Sequence, residues 1–391
     1  MVIRIVRRLG VSAILGILLV ALIAAPVAAG GQGEMHTGDE AAAHASGDDH
    51  DEIPHVDAVA LEPGEELRVV ATTNIIGDVL RNVVGDEAEI TVIITEGQNP
   101  HGYTPTPRAV AAIERAHVVF VNGFGLEENL LDTVETAATG YVVPVSAGIA
   151  PIGGYGHDDD HDDHADDDHD DDHDHADDDH DDDHDDDHDH ADDDHDDDHD
   201  DDHDDDHVHA AGDPHVWFDP NNVIVWTQNI AEVMGELLPD SSASFARAAD
   251  AYIEELRALD TDIRSRVAEL PEDRRKLVID HASLDYFAQA YGFEVIGTVI
   301  PATTDQAEPS AQAISRLVDV IRSADVPAIF VGATASRGLQ NLTAAVAEEV
   351  EREIRVGTLL TGSLTTAGEG GESYLAYMDY NVTQIVENLT D

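Results

Sequence analysis

Three histidines of this chain lie in loops of mixed composition, outside its long histidine repeats; they are His101, His215 and His281. Because the sequence has no cysteine, any transition-metal site has to use histidine and carboxylate ligands. His215 lies in the segment 213–220, where Pro214 and Pro220 predict a stiff turn that opens a helix. A histidine held on such a turn is a candidate metal ligand, and a surface histidine in an ordinary loop is the alternative.

Short apolar strands that alternate with helices must position these histidines. In the first half of the chain the pattern predicts strands at 67–72, 89–95, 117–122 and 141–145 and helices at 74–84, 107–116 and 126–138. In the second half it predicts strands at 276–280, 294–300, 328–331 and 355–358 and helices at 284–291, 310–324, 339–351 and 373–389. This alternation predicts an α/β fold of two parallel-sheet lobes.

A helical region is expected to connect the two lobes. Helices are predicted at 221–238 and 242–270, and the second stops before Pro271. At about 1.5 Å per residue the longer helix exceeds roughly 40 Å, which suits a rigid spine between lobes. The predicted boundaries are an N-terminal lobe at 65–240, a linking helix at 241–271 and a C-terminal lobe at 272–391.

The histidines fall where an α/β sheet holds its ligands. His101 follows the predicted strand 89–95 and His281 follows the strand 276–280. Ligands bind at the carboxyl ends of the strands in such sheets. Since two of the three histidines belong to the first lobe and one to the second, a shared ion would sit in the cleft between lobes. No glycine-rich phosphate fingerprint follows any of the early strands, which argues against nucleotide binding.

A run of aspartate and histidine interrupts the first lobe in a loop at 153–212. Its unit is Asp-Asp-Asp-His, and residues 157–209 contain 34 aspartates and 15 histidines. So dense a negative run cannot bury a core, and we expect a disordered loop inserted in the lobe. A charge run is normally only solvated, but histidines this regular favour a weak and unselective metal-binding tract.

Acidic residues dominate the chain well beyond this tract. The sequence has 84 acidic and 19 basic residues, and 50 acidic residues remain when 157–209 is set aside. Such a surface does not attract nucleic acid or an anionic bilayer, and high salt screens its self-repulsion. We therefore expect no nucleic-acid partner and a salt-loving source. The lack of cysteine also excludes disulfides and a lipid-anchored cysteine.

The N-terminus has the pattern of an export signal. Arginines precede an apolar run at 9–25, and small residues follow at 27–29, which predicts a signal peptide at 1–29. An uncleaved anchor is the alternative, since the apolar run is about long enough to span a bilayer. Residues 30–64 are expected to form a disordered tether that contains histidines. We thus expect the protein at the outer face of the cytoplasmic membrane, in the periplasm or outside the cell.

Other side chains near these motifs have simpler expected roles. Trp217 and Phe218 are expected to be packing anchors. Asp219 is expected to cap the following helix, and orienting a ligand is the alternative. His117 lies in an apolar run at a helix-to-strand junction and is expected to be structural. Asp280 either supports a histidine from behind or is merely polar at a strand end, and the sequence leaves this open.

A series of short motifs runs in order along residues 67–391. They are Asn99-Pro100-His101, Pro105-Thr106-Pro107, Val121-Asn122-Gly123, Leu126-Glu127, Asp213-Pro214-His215-Val216-Trp217, His281 with Tyr286-Phe287 and Tyr291-Gly292, Glu308-Pro309-Ser310, and Tyr380-Asn381-Val382. This series resembles the zinc/manganese solute-binding proteins of ABC transporters. The resemblance implies two α/β lobes joined by a long helix, and delivery of one metal ion to a membrane permease. It also implies that the ion sits in the cleft with His101, His215 and His281 as ligands.

Position 281 bears on the choice of metal. Members that resemble manganese carriers tend to have glutamate there, so His281 favours zinc, which suits imidazole. The family often has an aspartate before the Ser-Leu of its last strand and loop, whereas this chain has Gly362. Zinc prefers four ligands. Water, a histidine of the tract, Glu96 or Asp305 is left to supply the fourth.

The sequence therefore predicts an extracytoplasmic receptor, monomeric and not an enzyme, that captures Zn²⁺ and hands it to an ABC permease. A manganese receptor of the same family is one alternative. A metallohydrolase is another, because three histidines can activate a bound water, although no His-Glu-x-x-His motif and no adjacent general base is evident. An extracellular zinc buffer built on the tract is the third.

Overall fold

The computed structural model describes residues 53–152, 212–350 and 352–390 of the chain. Its first lobe is built on a four-stranded parallel sheet in the order β2-β1-β3-β4. The strands are β1 (Leu67–Thr73), β2 (Ala88–Ile94), β3 (Val118–Val121) and β4 (Tyr141–Pro144). The helices of this lobe are α1 (Asn74–Val84), α2 (Pro107–Arg115) and α3 (Glu128–Ala137). The predicted alternation of strands and helices is confirmed.

The second lobe repeats this architecture with a sheet in the order β6-β5-β7-β8, also parallel throughout. Its strands are β5 (Lys276–His281), β6 (Glu294–Ile300), β7 (Ala328–Gly332) and β8 (Arg355–Leu359). Its helices are α6 (Asp285–Tyr291), α7 (Ala311–Ala324), α8 (Arg337–Glu349) and α9 (Tyr374–Leu389). The predicted fold class of two parallel-sheet α/β lobes is therefore confirmed.

Two consecutive helices follow the first lobe, α4 (Pro220–Leu237) and α5 (Ser242–Val267), and α5 connects the lobes. Helix α5 has 26 residues, about 39 Å, and it packs against α1 of the first lobe and α9 of the second. It ends three residues earlier than predicted, and residues 268–270 form a turn before Pro271.

The apolar side chains form three clusters that explain how the lobes are held. One fills the face of the first sheet under α2 and α3, and another fills the face of the second sheet under α7 and α8. The largest runs continuously from α1 through α4 and α5 to β5 and α9. Because this cluster crosses from one lobe to the other, rigid-body separation of the lobes would expose core.

Residues 53–61, the N-terminal strap, correct part of the expected tether. Val56 is 1% exposed, and three neighbouring apolar side chains pack on the same core: Ile53, Val59 and Leu61. The N–H of Val56 donates to the Glu236 carboxylate at 3.0 Å, and the N–H of Val59 donates to the Leu237 carbonyl at 3.0 Å. The prediction of disorder is wrong for this stretch, because the core beside α4 buries its apolar side chains and α4 accepts its backbone hydrogen bonds.

Several sequence predictions fall outside the part of the chain that the structure describes. These are the signal peptide at 1–29, residues 30–52 of the tether and residues 153–211 of the aspartate–histidine loop. Within the described ranges, no helix is both long enough and apolar enough to cross a membrane.

Candidate metal centre

Three loops at one end of the two sheets carry the histidines. His101 lies in the loop after β2, and His281 is the last residue of β5, so both stand at carboxyl ends of parallel strands. His215 directly precedes a single 3-10 turn, Val216–Phe218, that leads into α4. The structure brings all three residues together between the lobes, where they are 4%, 1% and 3% exposed in sequence order.

The three imidazoles lie close enough to share one ion. One nitrogen from each ring lies within 4.8 Å of the other two. The Nε2 atoms of His101 and His215 are 3.1 Å apart, and their ring centroids are 5.1 Å apart. The ring centroid of His281 lies 5.6 Å from that of His101 and 5.2 Å from that of His215. Two nitrogens bound to a tetrahedral zinc ion at about 2.0 Å lie roughly 3.3 Å from each other. This pair therefore has close to the separation that a shared ion requires.

Two buried carboxylates orient two of the rings from behind. Nδ1 of His215 is 2.7 Å from Oδ1 of Asp213, and Nδ1 of His281 is 2.9 Å from Oδ1 of Asp280. A carboxylate accepts the Nδ1 hydrogen, so each neutral ring keeps its Nε2 lone pair free for a metal. Nε2 of His281 is buried and has no hydrogen-bond partner among the described residues. A cation between the rings would satisfy it, so this donor set fits a transition-metal ion.

Asp280 supports its histidine rather than merely ending a strand. Its Oδ2 accepts a hydrogen bond from the N–H of Gly332 on β7 at 2.7 Å, which holds the carboxylate in place. Although burial raises the pKa of Asp280, the charge of His281 and the hydrogen bonds from His281 and Gly332 outweigh burial and lower it. This carboxylate is therefore ionised at neutral pH.

Asp213 contacts His215 from behind, and sequence reasoning missed this contact. Burial raises the pKa of its carboxyl from 3.8 to about 7, although the backbone of His215, the charge of His281 and the backbone of Asp285 pull it down. Its Oδ2 is buried and has no partner at hydrogen-bonding distance in the described ranges. The available signal was its place two residues before His215 across a proline turn.

Burial and nearby carboxylates give the three rings different proton affinities. Burial is the main cause that lowers the pKa of His101 and His215 well below 6.5, and the neighbouring histidines add to it. Burial also lowers the pKa of His281, but the charge of Asp280, with smaller contributions from Asp305 and Asp213, leaves it raised. His281 is therefore the ring whose proton competes with a cation near neutral pH.

A buried polar layer holds the turn that carries His215. Nδ2 of Asn122 donates to the Pro214 carbonyl at 3.0 Å. The Glu127 carboxylate in turn accepts from the N–H of Asn122 at 2.7 Å and from the Thr72 hydroxyl at 2.5 Å, and burial raises the pKa of Glu127. The two sequence motifs that contain Asn122 and Glu127 thus meet under the site, a role that the sequence alone did not reveal.

The simpler expectations for the neighbouring residues are confirmed. Trp217 and Phe218 are 1% and 0% exposed, and Trp217 Nε1 also donates to the hydroxyl of Tyr377 at 2.9 Å. The Asp219 side chain accepts from the N–H of Asn221 and caps α4. His117 lies outside the histidine cluster, and its Nδ1 accepts from the N–H of Arg68 at 2.9 Å.

The fourth ligand position is not filled by a carboxylate in the described part of the chain, where the histidines alone form the group. Glu96 is exposed, and Asp305 accepts a hydrogen bond from Nδ2 of Asn99 at 2.6 Å. A Cβ atom on Gly362 would lie 2.8 Å from Cδ of Pro100, so a side chain there would require a shift of the His101 loop. Glycine is therefore the residue that fits at position 362 without moving Pro100.

A buried trio of inward-facing imidazoles, set in the cleft of two α/β lobes that share a core, defines a two-lobed metal-binding protein. The sequence matches over residues 69–388 the family described as ZnuA, zinc-uptake complex component A, periplasmic. The chain belongs to this family of metal ABC transporter solute-binding proteins. The resemblance found in the ordered motifs is confirmed.

Relatives and solved structures agree with this assignment. Manganese-binding lipoprotein MntA of Halalkalibacterium halodurans is 29% identical over 329 residues, which cover 84% of this chain and 90% of the relative. Manganese ABC transporter substrate-binding lipoprotein scaA of Streptococcus gordonii is 26% identical over 332 residues, with 83% and 89% covered. The periplasmic zinc binding protein TroA from Treponema pallidum shares the fold, with a TM-score of 0.65 at 24% identity over 84% of this chain and 100% of TroA. The protein is a metal-binding receptor of an ABC transporter.

Proposed function

We propose that this chain captures Zn²⁺ outside the cytoplasm through His101, His215 and His281 and delivers it to its ABC permease. The observation that carries the proposal is the convergence of three buried imidazoles, two of them oriented by carboxylates so that their Nε2 atoms face inward. Zinc suits imidazole, whereas manganese suits carboxylate, carbonyl and water oxygens. Since no carboxylate among the described residues joins the histidine cluster, zinc fits better.

Manganese is the second candidate, and the names of the relatives favour it. MntA is named a manganese-binding lipoprotein and scaA a manganese ABC transporter substrate-binding lipoprotein, and each matches more than four fifths of this chain. Manganese would need further oxygen ligands from water or from a moved acid such as Asp305. The metal therefore has to be decided by direct competition between the two ions.

The experiment is a competitive zinc and manganese titration of a version that lacks 157–209, beside its His281→Ala variant. We expect one tight, zinc-preferring site that is lost in His281→Ala. His117→Ala is the matched control, because His117 lies outside the cluster, and it should keep the site. A tight site that prefers manganese would make the chain a manganese receptor.

The same titration separates the cleft from the aspartate–histidine tract. In the proposed arrangement the tract binds metal weakly and is accessory, and the receptor works as a monomer. Absence of any tight site without the tract would leave an extracellular zinc buffer instead. We also propose that the chain has no hydrolase activity, so zinc-loaded protein should not turn over generic ester or peptide substrates.

A further inference from the structure

The three histidines are too buried to exchange an ion unless part of the protein opens. They are 4%, 1% and 3% exposed, and the continuous core that joins the lobes resists separation of the lobes as rigid bodies. Two loops of the second lobe contact the His101 loop. One is the lid loop, residues 301–309, between β6 and α7, and the other is the segment 361–364 after β8. Opening either contact would uncover the His101 loop.

The contact made by the segment 361–364 is buried and fully hydrogen-bonded. The Ser363 hydroxyl accepts from the N–H of Gly97 and from Nδ2 of Asn74, both at 2.8 Å. The N–H of Leu364 donates to Oδ1 of Asn74 at 3.0 Å. Asn74 is 1% exposed and Ser363 is 2% exposed. Breaking this contact would leave buried polar groups unpaired, which is costly, so it is expected to stay closed.

The contact made by the lid loop is of a different kind, because water can replace it. Nδ2 of Asn99 donates to Oδ2 of Asp305 at 2.6 Å, and both residues are only half-buried. On the other side of His101, Gly102 lies against the exposed side chain of Gln306. Asp305 and Gln306 of the lid loop thus contact the His101 loop on both sides of the histidine. This contact opens at the lower cost.

The Asn99 side chain also connects the lid loop to the histidine itself. Its Oδ1 accepts from the N–H of His101 at 3.1 Å while its Nδ2 donates to Asp305. Asp305 is therefore placed to act on His101 through Asn99 without joining the histidine cluster.

We propose that Asn99 and Asp305 form an interlobe latch that holds the His101 loop over the cluster and sets how fast the metal ion is released. Both are positioning residues that act through His101, and neither is a ligand. The proposal rests on the function proposed above, since it requires an ion bound by the three histidines.

The test is the release of Zn²⁺ from the full chain to an excess of a chromophoric chelator, followed by stopped flow. The slow phase that His281→Ala abolishes reports the cleft. Asp305→Ala and Asn99→Ala should each accelerate this phase about tenfold or more, because a hydrogen bond to a charged group contributes at least that factor. The double variant should be no faster than Asn99→Ala, since Asn99→Ala already removes the bond to Asp305 together with the bond from the N–H of His101. Asp305→Asn keeps an acceptor oxygen and should lie in between.

Glu308→Ala is the matched control, because it removes an exposed acid from the same loop. Equal slow phases in Asp305→Ala, Glu308→Ala and the unsubstituted chain would overturn the latch. The visible spectrum of bound Co²⁺ separates positioning from ligation: it should be unchanged in Asp305→Ala, and a changed spectrum would make Asp305 a ligand and overturn the proposal. If the unsubstituted chain has no slow phase, the proposed function fails and the latch falls with it. A slow phase whose rate is unchanged in Asp305→Ala refutes the latch but leaves the proposed function standing.

Discussion

Replacement of Asp213 by asparagine separates the charge of this residue from its orienting role. Oδ1 of Asp213 accepts from the N–H of His215 at 2.9 Å and from its Nδ1 at 2.7 Å, whereas Oδ2 has no partner at hydrogen-bonding distance in the described chain. An asparagine with its oxygen at the Oδ1 position keeps both bonds. The negative charge is lost, and the amide nitrogen takes the place of Oδ2.

The pKa of Asp213 determines the size of the effect on folding. Burial raises it from 3.8 to about 7. An acid whose folded pKa is raised loses folding free energy as pH rises from its unfolded to its folded pKa, because the folded state holds the proton more tightly. At about 1.4 kcal/mol per pKa unit, the raised pKa costs the metal-free protein about 4 kcal/mol at pH 8 and less than half of that at about pH 5. Asp213→Asn should therefore be more stable than the unsubstituted chain at pH 8, by a margin that shrinks at pH 5.

The same substitution should weaken metal binding. A carboxylate behind a metal-binding histidine typically contributes about 10- to 100-fold to affinity, so zinc affinity should fall by about that factor. Urea unfolding of chelator-treated protein at the two pH values measures the stability, and competitive titration measures the affinity. The predicted result is a variant that folds better and binds worse.

Asp280→Asn is the matched control for this experiment. Both oxygens of Asp280 accept buried N–H groups, from His281 and from Gly332, so an asparagine has to place a donor against a donor. We expect a loss of about 1–3 kcal/mol of folding free energy at both pH values. If Asp213→Asn were less stable than the unsubstituted chain at pH 8, the argument that an uncompensated buried charge dominates at Asp213 would be refuted.

Three further predictions test other parts of the structure. Zinc affinity should fall as pH drops through the raised pKa of His281, above 6.5, because that proton competes with the ion; titrations from pH 8 to 5 check this, and a midpoint below 6.5 contradicts it. Val56→Ala should cost about 2 kcal/mol in urea unfolding, since this strap residue is 1% exposed, and an unchanged midpoint would mean that the strap is not docked. Gly362→Asp should weaken zinc binding rather than add a ligand, because its Cβ would press on Pro100 beside His101; tighter binding by titration would show that the loop yields.

Strands and helices were predictable because their signals are local. The buried parallel strands are nearly continuous apolar runs, and proline or a capping side chain marks several helix starts, as Pro107 and Asp219 do. The errors fell where packing overrides local pattern. The N-terminal strap has a composition typical of a linker, yet Val56 is buried, because α4 and the core beside it offer an apolar surface that its own sequence does not show.

The candidate metal site was predictable in its members and not in its geometry. His101, His215 and His281 could be selected because each lies in a distinctive loop or at a strand end, and the strand order places those loops at one end of the sheets. The burial of Asp213 and the Asn99–Asp305 contact could not be predicted. The first depends on the packed core, and the second joins residues that are far apart along the chain.

The type, order and approximate bounds of the elements, and the identity of the three histidines, follow from the amino-acid sequence, because periodicity, capping and residue chemistry are properties of short segments. The burial of the rings, the direction of their Nε2 atoms, the charge cost at Asp213 and the lack of room at Gly362 follow only from the tertiary structure. They arise because the continuous core brings loops separated by more than a hundred residues within hydrogen-bonding distance and removes the water that would otherwise screen their charges.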